Sequence, residues 1–115
     1  MTEYLLLFRN ASAANNYLAT TEDMAEDMPR WQSWIGNIAM QGKLVSSQPI
    51  EFDGTVVNNN GIHHGPFIQQ QILLTGYLIC KAESWEEVKE WSQTCPILKY
   101  EKGSVEIRPI MPFEV

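Results

Sequence analysis

His64 is the residue of this sequence best suited to acid–base chemistry, because an imidazole changes charge near neutral pH and can give or take a proton. It stands in the run Ile62-His63-His64-Gly65-Pro66-Phe67. Gly65 has no side chain to keep a ligand from the backbone, and the Gly-Pro step forces an extended or turn conformation. The competing reading is a solvated loop histidine. Arg9 ends an apolar run near the N-terminus and Arg108 lies in the closing segment. A guanidinium is a planar fork that fits a carboxylate, although Glu106 and Glu3 offer ordinary ion pairs instead. Tyr77, Ser46 and Ser47 add hydroxyl groups. Together His64, Arg9, Arg108, Gly65 and Tyr77 describe a site for a small organic anion, with His64 as the acid or base and the arginines as anchors.

Other chemistries find less support. Neighbouring residues of an extended segment point in opposite directions, so His63 and His64 form a poor metal pair, and no metal site is expected. No serine has the context of a nucleophile elbow and no glycine loop could cradle a phosphate, so no cofactor is implied. Cys80 and Cys95 lack redox-motif spacing and read as small buried hydrophobes.

These residues must be positioned by one domain spanning residues 1–115. A chain of 115 residues, 44% hydrophobic and 19% charged, can bury a core without a disulfide or metal. Eight Lys and Arg against fourteen Asp and Glu give a net charge of -6. The cations are scattered singly, which disfavours nucleic acid as a partner. Apolar runs are too short to span a bilayer, so no membrane association is expected. No signal peptide is expected before the first strand, and a cytoplasmic location is the expectation.

Tyr4-Leu5-Leu6-Leu7-Phe8 reads as a buried strand, followed by a polar loop over 10–16. Thr20 or Thr21 caps a helix, with Glu22 and Asp23 at its positive end. Met24, Met28, Trp31, Ile35 and Ile38 predict its apolar face. Trp34 falls off that stripe, toward a cavity or a dimer contact. Pro29 either kinks the helix or opens a second one, and Gly42 stops it. Strands come next at 44–48 and 55–57, with a turn at Asn58-Asn59-Asn60-Gly61. A strongly apolar strand covers 72–81, and Gly76 at its middle predicts a close approach. Ser84 and Glu87 form a capping box for a second helix, and Ser104 to Pro109 alternates as a last strand.

The order is that of a ferredoxin-like split βαβ α+β fold with an added β-hairpin. Two helices cover one face of such a sheet. Leu5 to Phe8 and Leu78 to Cys80 are nevertheless apolar at consecutive positions, so both faces need cover. A second copy supplies it, which predicts a homodimer.

The chain also resembles a known family. His64-Gly65-Pro66-Phe67, Gly76-Tyr77, Cys95-Pro96 and Gly103 through Pro109, with Tyr4 to Leu7 and Trp31 to Val45, are similar in order and spacing to the YCII-related (DGPF-type) proteins. The resemblance implies a dimeric α+β barrel. It also implies kinship with small enzymes acting on ring-opened or chlorinated aromatic compounds, some members being associated with regulators. The family motif opens with Asp where this chain has His64. The charged stretch that comes after it in the family is here Ile68-Gln69-Gln70-Gln71-Ile72. A reaction through that Asp therefore does not carry over. The functional expectation is a small organic or aromatic-derived ligand bound or converted in a cleft near the His-Gly-Pro-Phe turn. The alternative is a non-catalytic module for protein interaction or regulation.

Overall fold

A computed structural model describes residues 1–113. Its strands are β1 (Thr2–Ala11), β2 (Leu44–Pro49), β3 (Thr55–Asn58), β4 (Gly61–His64), β5 (Ile72–Ala82) and β6 (Ser104–Pro109), and its helices are α1 (Thr21–Met40) and α2 (Trp85–Ser92). A 3-10 turn, Pro96–Lys99, joins α2 to β6. Four strands form an antiparallel sheet in the order β2-β5-β1-β6, and β3 and β4 form a separate hairpin. This is the split βαβ arrangement read from the sequence.

The helical layer covers one sheet face. Tyr4, Leu6 and Phe8 of β1 alternate inward, and so do Leu78, Cys80 and Ala82 of β5; they meet Trp34, Ile38, Val88, Cys95 and Ile97 in the core. Leu5 and Leu7 of β1 pair with Ile79 and Tyr77 of β5 on the opposite face, where they are only half-buried. The protein measures 40 × 39 × 19 Å. Its thin dimension is that of one sheet and one helical layer, so among the described residues this second face has no cover of its own.

Helix α1 begins with a complete capping box. Thr20 Oγ1 accepts from the Asp23 N–H (3.1 Å) and the Asp23 carboxylate accepts from the Thr20 N–H (2.9 Å). The helix runs unbroken through Pro29. Its inward face differs from the expected stripe: Asp27, Trp34 and Ile38 are buried, whereas Met24 and Met28 are 42% and 53% exposed. Trp34 is therefore a core residue. Its indole N–H donates to the Trp91 carbonyl at 2.9 Å and its ring meets Phe8 edge-on. That bond to α2 sets the rotation of α1, which swings the two methionines off the core. At α2, Ser84 caps the Glu87 N–H (3.3 Å), but the Glu87 carboxylate accepts from the Glu83 N–H and pairs with Lys43 (2.5 Å), so the reciprocal half of the expected box is absent.

Two glycines let backbone segments meet closely. A Cβ on Gly76 would lie 3.0 Å from the Gln48 carbonyl, so the approach expected at this glycine is that of β2. A Cβ on Gly103 would lie 1.9 Å from the Ile97 carbonyl oxygen, so Gly103 locks the 3-10 turn against the start of β6. Since backbone must move to admit a methyl group there, Gly103→Ala should destabilise the fold by about 3 kcal/mol. Thermal unfolding checks this, with a midpoint expected to fall by roughly 10 °C.

Candidate functional site

Between α1 and the sheet lies a cavity of about 630 Å³. Two β-bulges shape its floor. The first falls between Phe8 and Arg9 in the β1–β5 pairing, where Thr75 is the extra residue. The second falls between Leu44 and Ser46 in the β2–β5 pairing, where Val45 is extra. A bulge re-aims the residues beside it, and here Phe8, Asn10, Ser47, Thr75 and Gly76 all line the cavity. Met24, Met28, Trp31 and Ile35 of α1 roof it. Phe8 and Trp31 meet edge-on with ring centres 5.0 Å apart. Tyr17 closes one end, its hydroxyl donating to the Ile50 carbonyl and its ring packing on Phe52.

Asp27 and Tyr100 stand at the wall beside the 3-10 turn. Asp27 is 4% exposed. Its carboxylate accepts from Lys99 Nζ at 2.6 Å and from the Tyr100 hydroxyl, and Arg30 approaches to 3.5 Å. Burial alone would raise its pKa, but the bonds from Lys99 and Tyr100 outweigh it and hold the carboxyl below its ordinary value. Burial, with the Asp27 charge, pushes the Tyr100 phenol up. At neutral pH the pair is thus a carboxylate and a phenol. A carboxylate that already accepts from several donors is a weak base, so this wall is poorly suited to moving a proton. Asn10 is 6% exposed. Its Oδ1 accepts from the Ala11 N–H at 2.8 Å, and its Nδ2 has no hydrogen-bond partner among the described residues.

The residues singled out from the sequence lie elsewhere. His64 is exposed on β4, opposite Thr55 in the hairpin. Gly65 comes next with φ 109°, its N–H donating to the Gly54 carbonyl at 2.7 Å. Arg9 and Arg108 lie on the uncovered sheet face and share Glu106, at 2.6 and 3.4 Å. The Arg9 guanidinium beside Glu106 holds its carboxyl below the usual range. Tyr77 occupies the same face, 3.3 Å from Ser46 Oγ. The structure therefore brings Arg9, Arg108 and Tyr77 onto one surface, places His64 and Gly65 on the hairpin, and has none of the five lining the cavity. Cys80 and Cys95 are buried free thiols, pushed up to about 11 and about 12 by burial, and have no reactive character. Among the described residues no helix is long and apolar enough to cross a membrane.

Sequence reasoning passes over Asp27, Asn10 and Tyr100. Asp27 does carry a signal: it sits at helical spacing with Trp31, Trp34 and Ile38, and a charge on a buried stripe needs partners.

The family model for the YCII-related domain matches residues 3–114. The chain belongs to this family. No curated protein matches it in sequence. Among solved structures, this YCII-related domain is similar to 5-chloro-2-hydroxyhydroquinone dehydrochlorinase from Burkholderia phenoliruptrix AC1100, determined in complex with 2,5-dihydroxybenzoquinone. The TM-score is 0.53 at 16% identity, over 91% of this chain and 90% of that one. At that identity the likeness is one of fold.

Because the folded state depresses the Asp27 pKa, the carboxylate stabilises the fold in full at neutral pH, above its unfolded pKa. That contribution disappears as the pH falls through the lower folded value. Asp27→Asn should cost about 2 kcal/mol at neutral pH, less than a fully buried pair because Lys99 and Arg30 reach solvent. The gap to the parent protein should close below about pH 4. Urea unfolding of both proteins across this range measures it; a constant gap would mean the charge is not the cause.

Proposed function

We propose that this YCII-related domain is a homodimer whose subunits each bind a small, one-ring organic molecule in the cavity between α1 and the sheet. The carrying observation is the lining itself: an apolar surround of Phe8, Met24, Met28, Trp31 and Ile35 about two buried polar side chains, Asn10 and Asp27, and the half-buried Tyr100 phenol. That combination is the usual make-up of small-molecule sites. The flat walls offered by Phe8 and Trp31 suit a ring. The fold it shares with a dehydrochlorinase seen with a dihydroxybenzoquinone adds support from analogy.

The dimer half of the reading rests on the uncovered face, where Leu5, Leu7, Tyr77 and Ile79 form an apolar centre bordered by the Arg9–Glu106–Arg108 cluster. Such a face, apolar inside and polar at the rim, matches the anatomy of a two-fold interface. A second reading, a surface for another protein, draws on the hairpin: Val57 and Ile62 face each other across it, 71% and 77% exposed.

Gly36 provides the test of the cavity. It lines the cavity from α1, and a Cβ there would meet nothing within 4 Å. Gly36→Leu should therefore fold at least as stably, since leucine favours a helix interior over glycine, and should put its side chain where the ligand lies. In tryptophan-fluorescence titrations with phenol and related one-ring compounds, the parent protein should show saturable quenching, and Gly36→Leu should bind at least tenfold more weakly. Equal affinities would remove the cavity from the function. His64→Ala should change affinity by no more than about twofold, and a larger loss would return the imidazole to the site. For the dimer, sedimentation should find two subunits in the parent protein and one in Leu7→Lys, which buries a charge at the centre of the interface. A monomeric parent would rule the interface out.

A further inference from the structure

The hairpin of β3 and β4 is an arm with an exposed face and no sheet to lie on. Neither strand pairs with the four-stranded sheet. The radius of gyration is 15.3 Å, against about 13 Å for a compact domain of this length, so the arm stands out from the body. A two-stranded hairpin is only marginally stable in water by itself. Exposure alternates along the arm: Glu51, Asp53, Thr55 and Val57 are exposed, and Phe52, Gly54 and Val56 between them are half-buried. The register pairs Val57 with Ile62 and Thr55 with His64, so β4 extends the same exposed face. That face is acidic at its base and apolar toward its tip. The chain from Leu44 to Cys80 holds no Lys or Arg, and Glu51 and Asp53 are its only carboxylates. The open face of the sheet has the opposite balance. Its strands place Arg9, Lys81 and Arg108 there beside Glu3 and Glu106, a local excess of cations in a chain whose net charge is -6.

From this complementarity we infer that the hairpin docks on a second copy of this chain, with its acidic base against the β1–β6 edge of the partner's open face. The inference rests on the homodimer proposed above and goes beyond it in making the arm part of the contact. Among two-fold arrangements that stack the open faces, an axis parallel to the strands sets β2 of one copy over β6 of the other, because it reverses the order β2-β5-β1-β6 and keeps positions along the strands. The arm leaves the sheet between Pro49 and Ile72, at the strand ends where Arg9 pairs with Leu74 and Ser104. The same axis therefore brings Glu51 and Asp53 toward the partner's Arg9 and the partner's Arg108. Opposite charges at such a rim fix the register of the contact, and Val57 and Ile62 lose water to it. Folding back over its own cavity would instead set the arm's carboxylates near Glu22, Asp23 and Glu26 at the start of α1, where Lys99 and Arg30 are already paired with Asp27.

Cys80 and Cys95 are buried, so a cysteine placed on the arm is the one thiol open to reagents. Val57→Cys of the full chain, coupled to a benzophenone maleimide, is mixed as isotopically light and heavy copies and irradiated. Cross-linked peptides should join light to heavy copies and include β1 or β6. Cross-links confined to one copy, to α1 above all, would make the hairpin a lid and overturn the inference. An arm that captures nothing in the pure protein, as a surface kept for a different protein would, overturns it too. A charge exchange gives the second measurement. Glu51→Lys with Asp53→Lys should weaken dimerisation at least tenfold in sedimentation at low salt, less as salt screens it, and adding Arg108→Glu should recover severalfold of the loss. Both acidic positions are exposed, so circular dichroism should show the subunit fold unchanged. Dimerisation equal to that of the parent protein, or no recovery with Arg108→Glu, would overturn the docked arm while leaving the sheet-face dimer in place. A monomeric parent protein would overturn both.

Discussion

The carboxylate of Asp27 holds the ligand-sized space of this protein open. A helix laid flat on a sheet normally excludes a cavity, because side chains interdigitate to crystal-like density. Here α1 is tied to the chain before β6 by bonds from Lys99 and Tyr100 to Asp27, and to α2 by the bond from Trp34 to Trp91. Both ties lie along the buried stripe of the helix. Between them they fix its rotation, so that Met24, Met28 and Trp31 stand over the sheet and span a gap there. An apolar residue at 27 would leave the helix free to settle by packing alone. A buried charge demands partners at fixed distances, and those partners come from one short segment locked by Gly103.

The floor of the cavity is a product of irregular pairing. In regular antiparallel strands, side chains alternate strictly between the faces, and the inward positions of β1 and β5 would carry the core residues without interruption. The extra residue at Thr75 breaks that alternation in β5, opposite the step from Phe8 to Arg9. Beyond it Leu73 and Asn10 face inward and Leu74 and Arg9 face outward. The bulge thus turns Leu73 inward to meet Asn10 and Leu74 outward to meet Arg9, while β1 keeps its own alternation through Tyr4, Leu6, Phe8 and Asn10.

The fold is largely legible in the residues because hydrophobic periodicity and capping signals act locally. Thr20, Gly42, Ser84 and the apolar runs of β1 and β5 each mark an element by its own chemistry. The site is less legible. His64, Arg9 and Arg108 attract notice because their side chains are reactive or charged, yet their surroundings are set by a hairpin and by a sheet face that sequence spacing does not resolve. Thr75 and Ser47 line the cavity beside bulges, and a bulge leaves almost no trace in a single sequence; Asn10 faces inward by the plain alternation of β1, which runs on into residues that read as a polar loop. The rotation of α1 escapes the sequence for a related reason. Met24 and Met28 are apolar at helical spacing, but which of two neighbouring stripes faces the core depends on a bond from Trp34 to a carbonyl 57 residues away.

The two faces of the sheet solve the same problem in different ways. On the helix side, the hydroxyls of Tyr17, Ser47, Thr75 and Tyr100 already donate within the protein, so the wall is ordered by its own bonds and would lose little freedom on binding. On the open side, Glu106 holds two arginines across neighbouring strands, which fixes three charged side chains in register beside an apolar centre. Exposed ion pairs contribute little to stability, but a rigid rim with charges of both signs can oppose its own two-fold copy without like charges meeting. The charged residues that first suggest a ligand anchor would thus border the proposed contact between subunits, and the wall behind α1, whose one charge is the paired carboxylate of Asp27, would offer a small molecule both space and fixed partners.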